Sequence, residues 1–136
     1  MRMRIVCAVA VLVAAAVHLY LYFSVFHSQH VVGPAFLLNV VGGVVIAVLL
    51  VRWRTSWVPG FLAAGFGVST FGSFIIAATV GLFGVHEHWV GWSVWTAAAA
   101  EIVAIVTGVL VMVDALPDRA SGQLPRVPHF RGAHQP

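Results

Sequence analysis

The segment Trp92–Val113, WSVWTAAAAEIVAIVTGVLVMV, decides the fold of this chain because Glu101 is the only charged residue within it. A helix needs ~20 such residues to cross the hydrocarbon core of a bilayer. Three further apolar segments have a similar length, at 5–26, 34–51 and 60–83. In hydrocarbon every backbone N–H and C=O must be paired within the chain, so these segments can cross only as helices. The sequence predicts an all-α membrane protein, a bundle of four transmembrane helices forming one domain over residues 1–114.

The composition also favours a membrane protein. Of the 136 residues, 61% are hydrophobic and 8% are charged, whereas soluble domains carry roughly 25% charged residues. The formal net charge of +3 comes from arginines placed in ones and twos beside apolar segments. Because no basic patch results, nucleic acid is not an expected partner. The first apolar segment exceeds the ~7–15 residues of a signal-peptide core, which predicts a retained helix.

Positive charge predicts the orientation of the helices. All seven basic residues are arginines on one side of the predicted helices: Arg2, Arg4, Arg52, Arg54, Arg119, Arg126 and Arg131. The two loops on the other side contain none. With a composition that suggests a GC-rich bacterial genome, the positive-inside rule predicts a multi-pass protein of the bacterial plasma membrane with both termini cytoplasmic. The segment 115–136, rich in Pro, Arg, Gly and His, is predicted to be a disordered cytoplasmic tail.

Small residues predict where helices pack. In lipid, helices associate through small side chains that let their backbones approach closely. The third helix has such residues at every fourth position: Gly65, Ser69, Ser73, Ala77 and Gly81. The second and fourth helices have shorter sets at the same interval: Asn39, Gly43 and Ala47, then Ala100, Ala104 and Gly108. These stripes predict packing seams, either within the chain or against another subunit.

Four polar residues fall at comparable depth in the four helices, between the outer interface and the midplane: His18, Asn39, Ser73 and Glu101. An acidic side chain at the bilayer centre costs on the order of 3 kcal/mol on insertion scales, so it is usually paired or functional. We expect Glu101 to contact His18, directly or through water, with Asn39 and Ser73 as further hydrogen-bond partners. This intramembrane cluster either fixes helix register or takes part in proton movement, quinone binding or substrate binding.

Histidines in the two outer loops suggest a second kind of site. His27 and His30 lie in one loop, and His86 and His88 in the other. Imidazole is a common ligand of copper and zinc, so the four could form a metal site, although their spacings are not diagnostic. No cofactor is expected overall; copper, zinc, or a haem bound through His18 and a loop histidine, stay open as alternatives.

The motifs HLYLYF at 18–23, GPAFLLNVV at 33–41 and TVGLFG at 79–84, with the last helix around Glu101, carry a family resemblance. The chain resembles a family of small, functionally uncharacterised four-helix membrane proteins from actinobacteria. The resemblance implies the four-helix fold and an intramembrane histidine, asparagine and glutamate, here His18, Asn39 and Glu101. It implies no reaction, and the loop histidines do not belong to the shared pattern.

Three classes of function fit these features. The first is a non-catalytic accessory subunit or assembly factor of a larger membrane complex, which suits a small chain without a soluble domain. The second is a small transporter or proton-coupled carrier that uses Glu101. The third is a redox protein that handles metal or haem through His18 or the loop histidines. No motif predicts a nucleophile–base pair or a phosphate-binding loop, so no catalytic residue is expected. The expected partners are the lipid bilayer and other membrane subunits or further copies of the chain.

Overall fold

A computed structural model describes residues 1–116, which form four long helices. The helices are α1 (Arg2–Leu21), α2 (Val32–Arg52), α3 (Val58–Thr79) and α4 (Trp92–Ala115). A π-helical turn, Tyr22–Phe26, continues α1. Each helix is long and apolar enough to cross a membrane, so the predicted all-α fold with four helices of membrane-spanning length is confirmed. The predicted disordered tail lies, from residue 117 onward, outside the described residues.

The end of α3 differs from the prediction. The apolar pattern continues to Phe83, but α3 ends at Thr79. Gly81 and Gly84 have φ angles of +83° and +81°, and Phe83 has a φ of +49°. These values lie in the left-handed region, which a right-handed helix cannot include. Hydropathy alone cannot detect this end because the turn is as apolar as the helix before it.

The bundle is built around α1 and α4. Nearly half of the spanning window of each is buried (44%), against 17% in α2 and 22% in α3. Helix α1 packs on α2 and α4, α4 packs on α3, and α2 contacts α3 only weakly. The end that carries Arg2, Arg4, Arg52 and Arg54 is called the arginine end below. The opposite end, with the connections 27–31 and 80–91, is called the histidine end.

Three glycines form the seam between α3 and α4. A methyl group added to Gly60 would lie 2.7 Å from the carbonyl oxygen of Gly108, and one added to Gly108 would lie 2.7 Å from the amide nitrogen of Ala64. A methyl group on Gly67 would lie 2.7 Å from the carbonyl oxygen of Glu101. The two backbones therefore touch along this line, as expected for helices that associate in lipid.

The stripe predicted on α3 does not form this seam, so that prediction is wrong for packing within the chain. Gly65, Ser69 and Ser73 are exposed, and a methyl group on Gly65 would meet no atom within 4 Å. Ala77 is buried, but Gly81 lies beyond the end of the helix. Helix α3 carries small residues on two faces, and residue spacing does not say which face meets α4. Packing against another subunit stays a prediction.

Arg4 closes the arginine end of the bundle. Its side chain is buried, and its guanidinium donates from Nη1 to the carbonyl of Trp53 at 2.9 Å and from Nη2 to that of Ser56 at 2.8 Å. Trp53 directly follows the last residue of α2, and Ser56 lies in the connection to α3. Helix ends leave carbonyls unpaired, and Arg4 satisfies two of them in this region. The sequence marks Arg4 only as an orienting charge, so this role was missed.

The outside of the bundle is apolar on every helix. Exposed side chains include Val9, Leu38, Val68 and Val106. A continuous apolar surface of this kind is unsuited to water and suited to lipid. All five tryptophans are also exposed near helix ends: Trp53, Trp57, Trp89, Trp92 and Trp95. Tryptophan is enriched at both membrane–water interfaces, so the surface supports the membrane assignment.

Candidate functional site

A cavity of about 500 Å³ lies inside the bundle at the histidine end. All four helices and both connections at this end contribute to its walls. Its polar lining residues are His18, Asn39, Ser69, Thr70, Ser73, Glu87 and Glu101. Its aromatic lining residues are Phe26, Phe36, Phe66, Phe74 and Phe83. Ligand sites in proteins are typically apolar cavities of ~300–1,000 Å³ with a few polar groups, and this cavity fits that description.

Exposed lining residues indicate that the cavity has a lateral opening between α2 and α3. Leu38 on α2 and Ser69 and Ser73 on α3 line the cavity and are also exposed. This is the pair of neighbouring helices with the weakest mutual contact. In a membrane the gap faces the lipid, so a molecule dissolved in the bilayer can reach the interior without passing through water.

His18 and Glu101 lie side by side in the wall of the cavity. His18 Nε2 is 3.7 Å from Glu101 Oε1, and the two side chains are only 11% and 4% exposed. The distance is too long for a direct hydrogen bond but short enough for an ion pair or a bridging water. His18 Nδ1 lies 2.8 Å from the carbonyl oxygen of Ala14. Since a carbonyl can only accept, Nδ1 carries the proton, and a neutral His18 turns an Nε2 lone pair towards Glu101.

Two phenylalanines hold the imidazole of His18 in place. The ring of Phe36 lies 5.0 Å from that of His18, centroid to centroid, and the ring of Phe26 lies 4.7 Å from that of Phe36. Phe26 is the last residue of the π-helical turn and is buried. Single π-helical turns are often found at functional sites. Here the turn ends with a residue packed into the cavity wall.

Glu101 is positioned from α3 by Gly67 and Thr70. The absence of a side chain at Gly67 lets the Glu101 carbonyl approach α3 closely. The Thr70 hydroxyl donates to the carbonyl of Phe66 at 2.8 Å, and Thr70 lines the same cavity as Glu101. Because its proton is engaged by Phe66, the hydroxyl can offer only lone pairs to a group in the cavity. Thr70 was not predicted, although it lies three residues after Gly67 and therefore on the same face of α3.

Asn39 and Ser73 line the cavity but are not hydrogen-bonded to the His18–Glu101 pair, so that part of the prediction is wrong. The Ser73 hydroxyl donates to the carbonyl of Ser69 at 2.7 Å. Helical serines commonly satisfy their proton in this way within their own helix. Within residues 1–116, the Asn39 side chain has no hydrogen-bond partner in the protein. The four predicted residues therefore share one cavity but do not form one network.

The connection between α3 and α4 covers the histidine end of the cavity. Phe83 and Glu87 line the cavity from this connection. The amide of Glu87 donates to the carbonyl of Ala77 at 3.2 Å, which ties the connection to the end of α3. A methyl group on Gly81 would lie 2.6 Å from the ring of His86, so this imidazole is packed directly over the turn. The connection therefore forms part of the cavity wall at this end.

Among residues 1–116 the loop histidines are not grouped as a metal site, and a metal role for them stays a prediction. His27, His30, His86 and His88 are all exposed. Across residues 1–116, no three His, Cys, Asp or Glu side chains are grouped so as to hold one ion. His86 packs over the turn after α3, while His27 and His30 belong to the other connection. Two connections at the same end of the bundle therefore do not by themselves bring these imidazoles together.

No family model, curated protein or solved structure matches this chain. The site is therefore defined by geometry. The arrangement can bind a bilayer-dissolved molecule in the cavity, and it can pass a proton between Glu101 and His18. His18 and Glu101 together are called the polar pair.

Proposed function

We propose that this chain is a multi-pass protein of a bacterial plasma membrane with both termini in the cytoplasm. The four arginines among the described residues lie at one end of the bundle, at Arg2, Arg4, Arg52 and Arg54. The connections at the histidine end contain no lysine or arginine. This distribution supports a cytoplasmic arginine end by the positive-inside rule. Cysteines introduced at Ser28 and Thr55 should react with an impermeant maleimide from outside and inside, respectively; the reverse pattern would overturn the orientation.

We further propose that the protein is non-catalytic and holds a bilayer-dissolved molecule in the cavity, either alone or as an accessory subunit of a larger membrane complex. The observation that carries this proposal is the cavity lined by the polar pair, whose exposed lining residues on α2 and α3 indicate a lateral opening. Binding sites combine an apolar wall with a few polar groups that fix the orientation of the ligand. The cavity has both, and the molecule would enter from the lipid.

A purely structural role for the polar pair fits the geometry less well. Polar contacts that only fix the register of helices are expected to be fully enclosed by packing and fully hydrogen-bonded. The polar pair instead lines an open cavity, and its two facing atoms stand 3.7 Å apart. Asn39 also lines the same space. Several polar residues therefore line a volume that a ligand can occupy.

Access to Glu101 tests the proposal. Dicyclohexylcarbodiimide, an apolar reagent that modifies carboxylic acids, should label Glu101 in proteoliposomes, with labelling measured by mass spectrometry of the peptides. Ser73→Trp places a bulky side chain at the opening and should reduce labelling several-fold. Val68→Trp is the matched control, because Val68 is 58% exposed on the same helix but does not line the cavity. Equal labelling in the two variants would contradict entry through the α2–α3 gap.

Purification in native nanodiscs tests how the protein works. An accessory subunit should co-purify with stoichiometric membrane partners, whereas an independent binding protein should be recovered by itself with an extractable small molecule. Recovery with neither partner nor bound molecule, from cells grown under several conditions, would count against the proposal.

A proton-coupled carrier is the second candidate, and the polar pair specifically favours it. His18 Nδ1 is engaged by Ala14, so Nε2 is free to take a proton from Glu101 or return it. Intramembrane carboxylate–histidine pairs serve as proton relays in pumps and transporters. Proton flux into vesicles should then be lost in Glu101→Gln and retained in Asp114→Asn, an acid-to-amide change at an exposed residue on the same helix. Flux that survives Glu101→Gln would exclude this candidate.

A further inference from the structure

The charges around the cavity are all of one sign. Glu101 and Glu87 line it, and among the described residues none of those lining it is Lys or Arg. The described arginines belong to the opposite end of the bundle. A carboxylate at membrane depth is costly unless a cation neutralises it. His18 can do so only when it is protonated, so a cationic ligand would complete the site.

The hydroxyl groups of the cavity wall are hydrogen-bond acceptors. Ser69 and Thr70 both donate to the carbonyl of Phe66, at 2.9 and 2.8 Å, and Ser73 donates to that of Ser69 at 2.7 Å. With their protons engaged in the helix, these hydroxyls can offer only lone pairs to a ligand. Neutral His18 likewise presents a lone pair at Nε2, since its Nδ1 proton is engaged by Ala14. The wall therefore suits a ligand that donates hydrogen bonds.

The aromatic lining of the cavity also favours a positively charged ligand. Phe26, Phe36, Phe66 and Phe74 contribute rings to the cavity. The face of an aromatic ring is negative, so it attracts an organic cation. The same rings provide apolar surface for a lipophilic body attached to the charged group. The acidic groups, the acceptor hydroxyls and the aromatic walls thus all favour a cationic ligand that donates hydrogen bonds.

We infer that the ligand is a lipophilic organic ammonium, an amphiphile whose N–H donors face Glu101 and the serine and threonine hydroxyls. The inference rests on the proposed function, because it requires the cavity to be a binding site. The ammonium group enters between α2 and α3, passes the lone pairs of Ser69 and Ser73, and stops at Glu101. Its apolar part stays against the phenylalanine rings or extends through the gap into lipid.

Three anthracene compounds with one ring system test the charge preference. The probes are anthracen-9-ylmethylammonium, anthracene-9-methanol and anthracene-9-carboxylate, which are cationic, neutral and anionic at neutral pH. Binding to the full chain in nanodiscs is measured by fluorescence anisotropy and corrected with empty nanodiscs. The ammonium should bind at least about tenfold more tightly than the carboxylate, because a buried charge then meets either a complementary or a repelling partner. Equal or tighter binding of the carboxylate would overturn the inference.

Substitutions connect that preference to the named residues. Glu101→Gln should weaken ammonium binding at least about tenfold while leaving the alcohol nearly unchanged, because only the charge is removed. Asp114→Asn, the matched control outside the cavity, should change neither. If Glu101→Gln does not fold, the double variant Ser69→Ala/Ser73→Ala carries the test and should weaken ammonium binding roughly fivefold through the lost acceptors. Unchanged ammonium affinity in the folded variant would overturn the inference.

Failure of the inference can be told apart from failure of the proposed function. If all three probes bind equally and Ser73→Trp blocks them all, the cavity is a binding site but does not select for cations. If Ser73→Trp and Val68→Trp leave every affinity unchanged, neither the inference nor the proposed binding function holds.

Discussion

Two glycines on α3, two positions apart, offer a direct test of how the bundle packs. Gly67 lies in the seam with α4, where an added methyl group would come within 2.7 Å of both the Glu101 carbonyl oxygen and Ile105 Cγ1. Gly65 is exposed, and an added methyl group would meet no atom within 4 Å. Gly67→Ala and Gly65→Ala are therefore the same chemical change in two different environments.

The magnitudes follow from two opposing effects. In a helix, Ala is favoured over Gly by roughly 0.8–1 kcal/mol, and this gain applies to both variants. Overpacking costs typically ~1–3 kcal/mol, and it applies only to Gly67→Ala. The Ile105 side chain can rotate away, but the Glu101 carbonyl is backbone and moves only with α4. We therefore expect the free energy of unfolding of Gly67→Ala to be ~1–3 kcal/mol lower than that of Gly65→Ala, with Gly65→Ala equal to or above wild type.

Reversible unfolding in mixed micelles of increasing sodium dodecyl sulfate content, followed by tryptophan fluorescence, measures both free energies. The five tryptophans provide the signal, and neither substitution touches one. Equal stability of the two variants would refute the assignment of the seam. A lower stability of Gly65→Ala would indicate that the originally predicted stripe is the one that packs, against α4 or against another subunit.

The same unfolding assay checks two further expectations. Arg4→Ala should lower the free energy of unfolding by about 2–4 kcal/mol through the loss of two charge-assisted hydrogen bonds, whereas Arg2→Ala should change it little; equal effects would contradict the contacts described. Gly81→Ala should lower the free energy of unfolding more than Gly84→Ala. Both positions have positive φ, so alanine at either carries a strain of ~1–3 kcal/mol. Only at Gly81 would the added methyl group also approach an imidazole ring, at 2.6 Å. A larger loss for Gly84→Ala would argue against the packed turn.

The fold was predictable because hydrophobic length is a strong signal in membrane proteins. Bilayer thickness sets a minimum length for a spanning helix, and hydrocarbon excludes other backbone structures. The end of α3 was not predictable in the same way. Leu82 and Phe83 continue the apolar pattern, and the structure leaves the helix there because of the left-handed turn around Gly81. Hydropathy measures the solvent that a residue prefers and contains no information on φ.

The candidate site was predictable only in part. Ionisable residues are rare within membrane-spanning segments, so His18 and Glu101 can be recognised as candidate site residues from the sequence. Their arrangement around a cavity depends on the rotation of each helix about its own axis, which residue spacing constrains weakly. Thr70 and Phe36 illustrate the difficulty, because threonine and phenylalanine are ordinary in membrane helices and only their position against the polar pair distinguishes them. The gap between α2 and α3 is a property of packing and has no sequence signal of its own.

The hydrogen bonds of Arg4 have a consequence for the order of events during biogenesis. Its two acceptors, the carbonyls of Trp53 and Ser56, come after α2 in the chain. They can be reached only after α2 has been inserted and the chain has turned towards α3. In the proposed orientation, Arg4 therefore serves first as a solvated charge that keeps the N-terminus in the cytoplasm. Later it stabilises the finished bundle through its two hydrogen bonds. Lysine would preserve the early role and impair the later one, because a single ammonium lacks the planar fork that reaches two carbonyls. One substitution could thus separate membrane insertion from final assembly.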